Sequence, residues 1–143
     1  MDALYTAHAS ASGGRDGRAT ARSGSPDLSI KPPVEFGGPA DMPDATNPEE
    51  LFALGYGACF LSALQFAAGA RKLRTSKLTV DSAVSLGRDE KGFVIAVELH
   101  GNLPDVDRET AIELMHQAHG GCPYSRATRG NIEVKLFLGD EEI

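Results

Sequence analysis

Asn47-Pro-Glu-Glu-Leu-Phe-Ala-Leu-Gly-Tyr-Gly-Ala-Cys-Phe60 opens the longest apolar stretch of the chain, which runs from Leu51 to Ala70. Its first residues read as a helix start. Asn47 can cap, Pro48 suits the first helical position, and Glu49 and Glu50 sit at the positive end of the helix dipole. Leu51, Phe52, Tyr56, Cys59, Phe60, Ala63, Leu64 and Phe66 carry the pattern on, and the helix is predicted to end near Gly69 to Lys72. Few of its positions are polar, so burial on most sides is expected. Gly55, Gly57, Ser62, Gln65 and Gly69 break the run, which reads as a core helix and not as a membrane span.

Working outward, the N-terminal side is rich in Gly, Ser, Ala and Pro. Leu4 to Ser12 and Arg18 to Ser23 have strand character and flank Gly13-Gly-Arg-Asp-Gly17, a hairpin turn signal. Leu28 to Lys31 adds a third strand, and a Pro- and Gly-containing loop leads on to Thr46. On the C-terminal side, Leu78, Val80, Val84 and Leu86 suggest a strand with an irregularity within it. Phe93, Ile95, Val97 and Leu99 alternate as a half-buried strand. Gly101-Asn-Leu-Pro104 ends it. A second helix is predicted from Asp107 to His119, capped by Asp105 or Asp107 and stopped at Gly120-Gly121. A short helical turn can follow Cys122-Pro123, and Ile132 to Leu138 alternates as a final strand. Strands, helix, strands, helix, strand in that order predict an α+β domain.

The 143 residues suit a single domain, 1–143. With 41% apolar and 24% charged residues, the composition is that of a globular protein. A net charge of −6 gives no electrostatic reason to seek phosphate backbones, so nucleic-acid binding is not expected. Met1 to Ser12 lacks a basic start followed by an apolar run, so a cytoplasmic location is expected. There, paired cysteines are more often redox-active or metal-binding than structural.

Two cysteines are present, 63 positions apart, so only the fold can bring them together. Cys59 lies in mid-helix, where the dipole does little for a thiolate. It reads either as a small buried hydrophobe or as a nucleophile that needs a nearby cation. Cys122 follows two glycines and precedes Pro123, which would place it at an N-cap, where backbone N–H groups favour the thiolate. An ordinary loop cysteine is the other reading. His116, His119 and Cys122 stand at three-residue spacing and could share a metal, with Cys59 as a fourth ligand. Two polar histidines near a helix end is the plainer reading, and no metal is assigned. Glu49 could be a solvated helix-start acid or could hold an arginine by a bidentate pair. It lies ten positions before Cys59, about 15 Å along a helix at ~1.5 Å per residue, so only a long arginine could link the two.

Thr46-Asn-Pro-Glu-Glu-Leu-Phe-Ala-Leu-Gly-Tyr-Gly-Ala-Cys-Phe60 and His119-Gly-Gly-Cys-Pro-Tyr-Ser-Arg-Ala-Thr-Arg-Gly-Asn131 resemble the two signatures of the organic hydroperoxide resistance (Ohr) proteins, within the osmotically inducible (OsmC) superfamily. Leu4-Tyr-Thr-Ala7 and Gly13-Gly-Arg-Asp-Gly-Arg18 also match, so the resemblance covers nearly the whole chain. It implies an OsmC-like α+β fold, with antiparallel sheets around two long central helices in an intertwined homodimer. It implies a peroxidatic Cys59, a resolving Cys122, a catalytic Arg15, a Glu49 that orients that arginine, and Tyr124 in the pocket. The implied activity is reduction of organic hydroperoxides through a sulfenic acid and a disulfide. The implied reductant is an external dithiol, protein-bound dihydrolipoamide; no bound cofactor is implied. Leu51, Phe52, Tyr56 and Phe60 are candidates for an apolar pocket wall favouring alkyl or lipid hydroperoxides. The chain departs from the family pattern at Arg126, at Gly120-Gly121 and in the spacing of the loop from Ser25 to Ala45. A low-activity stress protein or redox sensor of the OsmC type, and a zinc-binding module, are the rival expectations.

Overall fold

Two glycines shape the first hairpin. In the computed structural model, which describes residues 1–143, β1 (Ala9–Ser12) pairs antiparallel with β2 (Gly17–Ala21), and Ser12 stands opposite Arg18. Between them Gly13 and Gly14 hold φ of 71° and 61°, the left-handed region that side chains disfavour. A Cβ at Gly13 would also lie 2.7 Å from the Asp16 carbonyl oxygen. Leu4 and Tyr5, expected in the first strand, are exposed and unpaired, since the ladder ends at Ala9 opposite Ala21. β3 (Asp27–Ile30) pairs antiparallel with β2, and β4 (Ala45–Thr46) pairs parallel with β3. This sheet belongs to the first of two units into which the chain divides, Met1–Leu51 and Phe52–Ile143.

Helix α1 (Pro48–Ala70) starts as its sequence dictates, with the Glu50 N–H donating to Asn47 Oδ1 at 2.9 Å. Its buried residues Tyr56, Phe60, Leu64 and Ala68 recur every four positions and form one stripe. The expected burial on most sides is not what the single chain gives. Leu54 and Phe66, off that stripe, are 68% and 83% exposed, because the sheet and α2 supply only one wall. By length and composition α1 could cross a membrane, yet its Tyr56-to-Ala68 stripe lies in a protein core. Where α1 meets β5, Ser82 Oγ donates to the Ala53 carbonyl at 2.7 Å, and a Cβ at Gly57 would lie 2.9 Å from that hydroxyl. Glycine is therefore required there for close approach.

The second sheet is built on a long hairpin, β5 (Thr79–Asp89) and β6 (Gly92–Asn102), paired without interruption from Thr79↔Asn102 to Asp89↔Gly92. The irregularity expected in the first of these strands is absent. Helix α2 (Arg108–Gly121) is capped by Asp107, whose carboxylate accepts from the Thr110 N–H at 3.0 Å. Helix α3 (Pro123–Thr128) follows directly, then β7 (Val134–Leu138) parallel to β6, and β8 (Glu141–Glu142). The fold is α+β with two four-stranded sheets and three helices. The expectation of antiparallel sheets needs correction, because each sheet holds one parallel pair. A strand returning through a helical crossover runs the same way as the one it left, and α2 and α3 are that crossover. The core of this unit joins the α1 stripe to Val97, Leu99 and Leu136 of the sheet and to Ala111, Leu114, Met115 and Ala118 of α2.

Candidate active site

Cys122 occupies the corner between α2 and α3. It ends α2, its N–H donating to the Ala118 carbonyl at 2.8 Å, and it caps α3, its carbonyl accepting from the Arg126 N–H at 3.0 Å. Pro123 fits the first position of α3 because no N–H is needed there. The side chain makes no capping bond. It points instead at α1, where Cys122 Sγ donates to Cys59 Sγ across 3.5 Å. Both thiols are free; Cys122 is fully buried and Cys59 half-buried. A disulfide needs about 2.05 Å between sulfurs, so about 1.5 Å of movement separates contact from a covalent bond. Burial pushes the Cys59 thiol up from the ordinary cysteine value. The Tyr124 backbone N–H pulls it down, and the Cys122 thiol adds to the rise.

Arg15 and Glu49 meet in the N-terminal unit. Arg15 Nη1 and Nη2 donate to the two Glu49 carboxylate oxygens at 2.8 and 2.6 Å, a fork-on-fork pair. The hairpin turn presents Arg15 and the first turn of α1 presents Glu49. Asp16, next to Arg15, forms an ion pair with Lys31. The bond to Arg15 holds the Glu49 carboxyl below its usual range, and Glu49 raises the guanidinium in return.

The structure distributes the expected pocket residues differently. Tyr56 and Phe60 are fully buried and cannot wall an open pocket. Helical periodicity marks which residues share a face but not whether that face meets protein or ligand. Tyr124, on α3, packs its ring against Tyr56 and Phe52, with centroids 5.6 and 6.1 Å away. A Cβ at Gly55 would lie 3.0 Å from its hydroxyl. The open space beside Cys59 is a groove of about 710 Å³, and none of the five expected residues lines it. Ala63, Phe66 and Ala67 of α1 form one wall, Gln117, Gly121 and Pro123 line it from α2 and α3, and Arg71 lies at its edge. Arg71 is itself paired with Glu113 at 2.8 Å.

Two hydroxyl residues near the cysteines, Ser125 and Thr128, have no role in the sequence reading. Tyr56 Oη donates to Ser125 Oγ at 3.0 Å and lies 3.1 Å from Thr128 Oγ1. His119 Nδ1 lies 3.0 Å from the same Ser125 Oγ. Ser125 and Thr128 stand three apart in Tyr124-Ser-Arg-Ala-Thr128, a spacing that puts two hydroxyls on one helical face and could have flagged them. His119 is thus bonded within the protein, and no group of three His, Cys, Asp or Glu side chains is placed to hold a metal.

The α+β fold, with its two four-stranded sheets and three helices, has counterparts among known proteins. The sequence profile of the OsmC-like proteins matches residues 38–137. An organic hydroperoxide resistance protein of Xanthomonas axonopodis pv. citri is 46% identical over 136 residues, 94% of each chain. The organic hydroperoxide resistance protein OhrB of Bacillus subtilis is 45% identical over 138 residues, 95% of this chain and 98% of the relative. A crystal structure of an organic hydroperoxide resistance protein from Elizabethkingia anophelis superposes with a TM-score of 0.89 at 46% identity, covering 98% of this chain and 99% of the other. The chain therefore belongs to the organic hydroperoxide resistance proteins of the OsmC-like family.

Proposed function

We propose that this chain is a thiol-dependent peroxidase that reduces organic hydroperoxides to alcohols. The observation that carries the proposal is the 3.5 Å approach of two sulfurs 63 residues apart in sequence. Membership in a family whose members carry organic hydroperoxide resistance in their names supports the choice of substrate. The Cys59 thiolate attacks the terminal peroxide oxygen. The O–O bond breaks, the alkoxide takes a proton and leaves as alcohol, and Cys59 becomes a sulfenic acid. The Cys122 thiol then attacks that sulfur, water leaves, and a Cys59–Cys122 disulfide forms. An external dithiol, dihydrolipoamide in this proposal, restores both thiols by exchange and is itself oxidised to a cyclic disulfide.

Arg15 is the proposed catalytic cation. A guanidinium held as a rigid fork by Glu49 can offset the effect of burial on the Cys59 thiol and stabilise charge developing on the peroxide oxygens. The apolar groove at Cys59 suits an alkyl or fatty-acid chain better than hydrogen peroxide. The working form in this proposal is an intertwined cytoplasmic homodimer of one OsmC-like domain, 1–143, in which paired central helices cover each other. The exposed Leu54 on α1 supports that association, since a side chain of this size gains by leaving water.

A redox sensor with slow turnover is the second reading, and the raised Cys59 thiol is the observation that favours it. Steady-state kinetics decide. With tert-butyl hydroperoxide and dihydrolipoamide, the wild type should turn over and Cys59→Ser should not. Consumption no faster than in Cys59→Ser would sink the enzyme reading. A single stoichiometric oxidation without cycling would favour the sensor.

A further inference from the structure

Tyr56 precedes Cys59 by three residues on α1, and Ser125 follows Cys122 by three residues into α3. Their hydroxyls are 3.0 Å apart, so one hydrogen bond ties the two cysteine-bearing turns together. That bond does not end there. With Tyr56 Oη–H donating to Ser125 Oγ, the serine keeps its own proton for His119 Nδ1, 3.0 Å away. Burial holds His119 below the ordinary histidine value, with Arg129 and His116 acting in the same direction; this favours the neutral ring, in which Nδ1 can accept. His119 lies in the last turn of α2, so the chain Tyr56–Ser125–His119 joins all three helices around the corner that holds Cys122. Arg129 clamps the corner again, its Nη2 donating to the His119 carbonyl at 2.7 Å.

We propose that His119 and Ser125, acting with Tyr56, are positioning residues for disulfide formation: their hydrogen-bonded chain holds the Cys122 corner against α1, so that the two sulfurs meet. Gly120 and Gly121, the last residues of α2 before Cys122, bring no side-chain packing of their own to this corner. The reading rests on the proposed two-cysteine cycle, but its test does not require peroxide.

The equilibrium constant for forming the Cys59–Cys122 disulfide is measured in mixtures of reduced and oxidised dithiothreitol, with alkylation and mass spectrometry as the readout. In this exchange the protein loses two thiols and oxidised dithiothreitol gains two. A lost hydrogen bond of ordinary strength lowers the constant about fivefold to tenfold in Ser125→Ala and His119→Ala, and about fivefold in Tyr56→Phe. His119→Asn places an amide oxygen near the Nδ1 position and should return the constant to within about twofold of wild type, a rescue that general loosening would not produce. Constants equal to or above wild type in Ser125→Ala and His119→Ala overturn the proposal. So does a His119→Asn value no better than His119→Ala, or a wild type that forms no Cys59–Cys122 disulfide. Should Ser125→Ala fail to fold, the His119 pair and Tyr56→Phe decide alone. A wild type that closes the disulfide in this buffer yet consumes no hydroperoxide defeats the peroxidase reading and leaves the positioning result standing.

Discussion

Replacing Cys122 by serine removes the second sulfur and leaves Cys59 in place, and the structure sets the size of the effect. A thiol confined within 3.5 Å of its partner is equivalent to roughly 10 M in solution, before orientation raises the figure further. Against about 1 mM of external thiol this is a ~10⁴-fold advantage for the internal reaction. Cys122→Ser should therefore reduce its first equivalent of hydroperoxide at close to the wild-type rate. The Cys59 sulfenic acid should then decay about 10⁴-fold more slowly than in wild type. The assay is rapid mixing with one equivalent of tert-butyl hydroperoxide, followed at intervals by a sulfenic-acid-specific dione and mass spectrometry. Cys122 is fully buried, so the hydroxyl also costs stability, about 1–2 kcal/mol, and melting curves must show the variant folded during the assay. Undiminished cycling in Cys122→Ser, or a dione adduct no longer-lived than in wild type, would refute the reasoning.

Arg15→Ala should slow the first oxidation of Cys59 by about 10²-fold or more if the guanidinium stabilises the departing oxygen. The Arg15 side chain is half exposed, so solvent screening should hold the cost of its loss to about 1 kcal/mol in a denaturant melt. An unchanged oxidation rate would point to a different cation. Phe60→Ala removes a fully buried ring from the α1 stripe and should cost about 3–5 kcal/mol in the same melt, and a loss below about 1 kcal/mol would mean the ring is not core. Glu49 has a folded-state pKa lowered by Arg15, so its contribution to stability is complete above the unfolded value near 4.5 and is lost as pH falls through the folded one. The stability gap between wild type and Glu49→Gln should accordingly close on acidification below about pH 4.5. A gap independent of pH would contradict a charge-assisted pair.

Much of the fold was legible in local chemistry. Asn47-Pro48-Glu49-Glu50 announced the start of α1, and Asp107 capped α2 as one of two expected positions. Gly13-Gly14 marked a turn that only positive φ can make. These signals read well because their physics acts within four residues. The parallel pairing of β7 with β6 had no such signal, since it depends on how the α2–α3 crossover returns to the sheet. The full burial of Tyr56 and Phe60 had no local signal for a related reason. Tyr56 and Phe60 sit on an apolar face, and apolarity alone does not distinguish a core contact from a wall open to ligand. The link from Ser125 to His119 was invisible, although His119 itself stood out beside Cys122, because a serine and a histidine acquire this meaning only once a buried tyrosine hydroxyl arrives beside them.

By itself the sequence determined the residue types available for the chemistry: two thiols, an arginine on a glycine turn and a glutamate at a helix start. It also determined the local elements that carry them, because capping, turn geometry and helical period are short-range effects. Only the tertiary structure decided that the two thiols touch. Their separation of 63 residues is closed by packing α1 and the α2–α3 corner into one core, a long-range arrangement that no local propensity encodes. The structure also decided that a groove opens at Cys59 on the side of Ala63 and Phe66, because the opposite stripe of α1 is spent on that core.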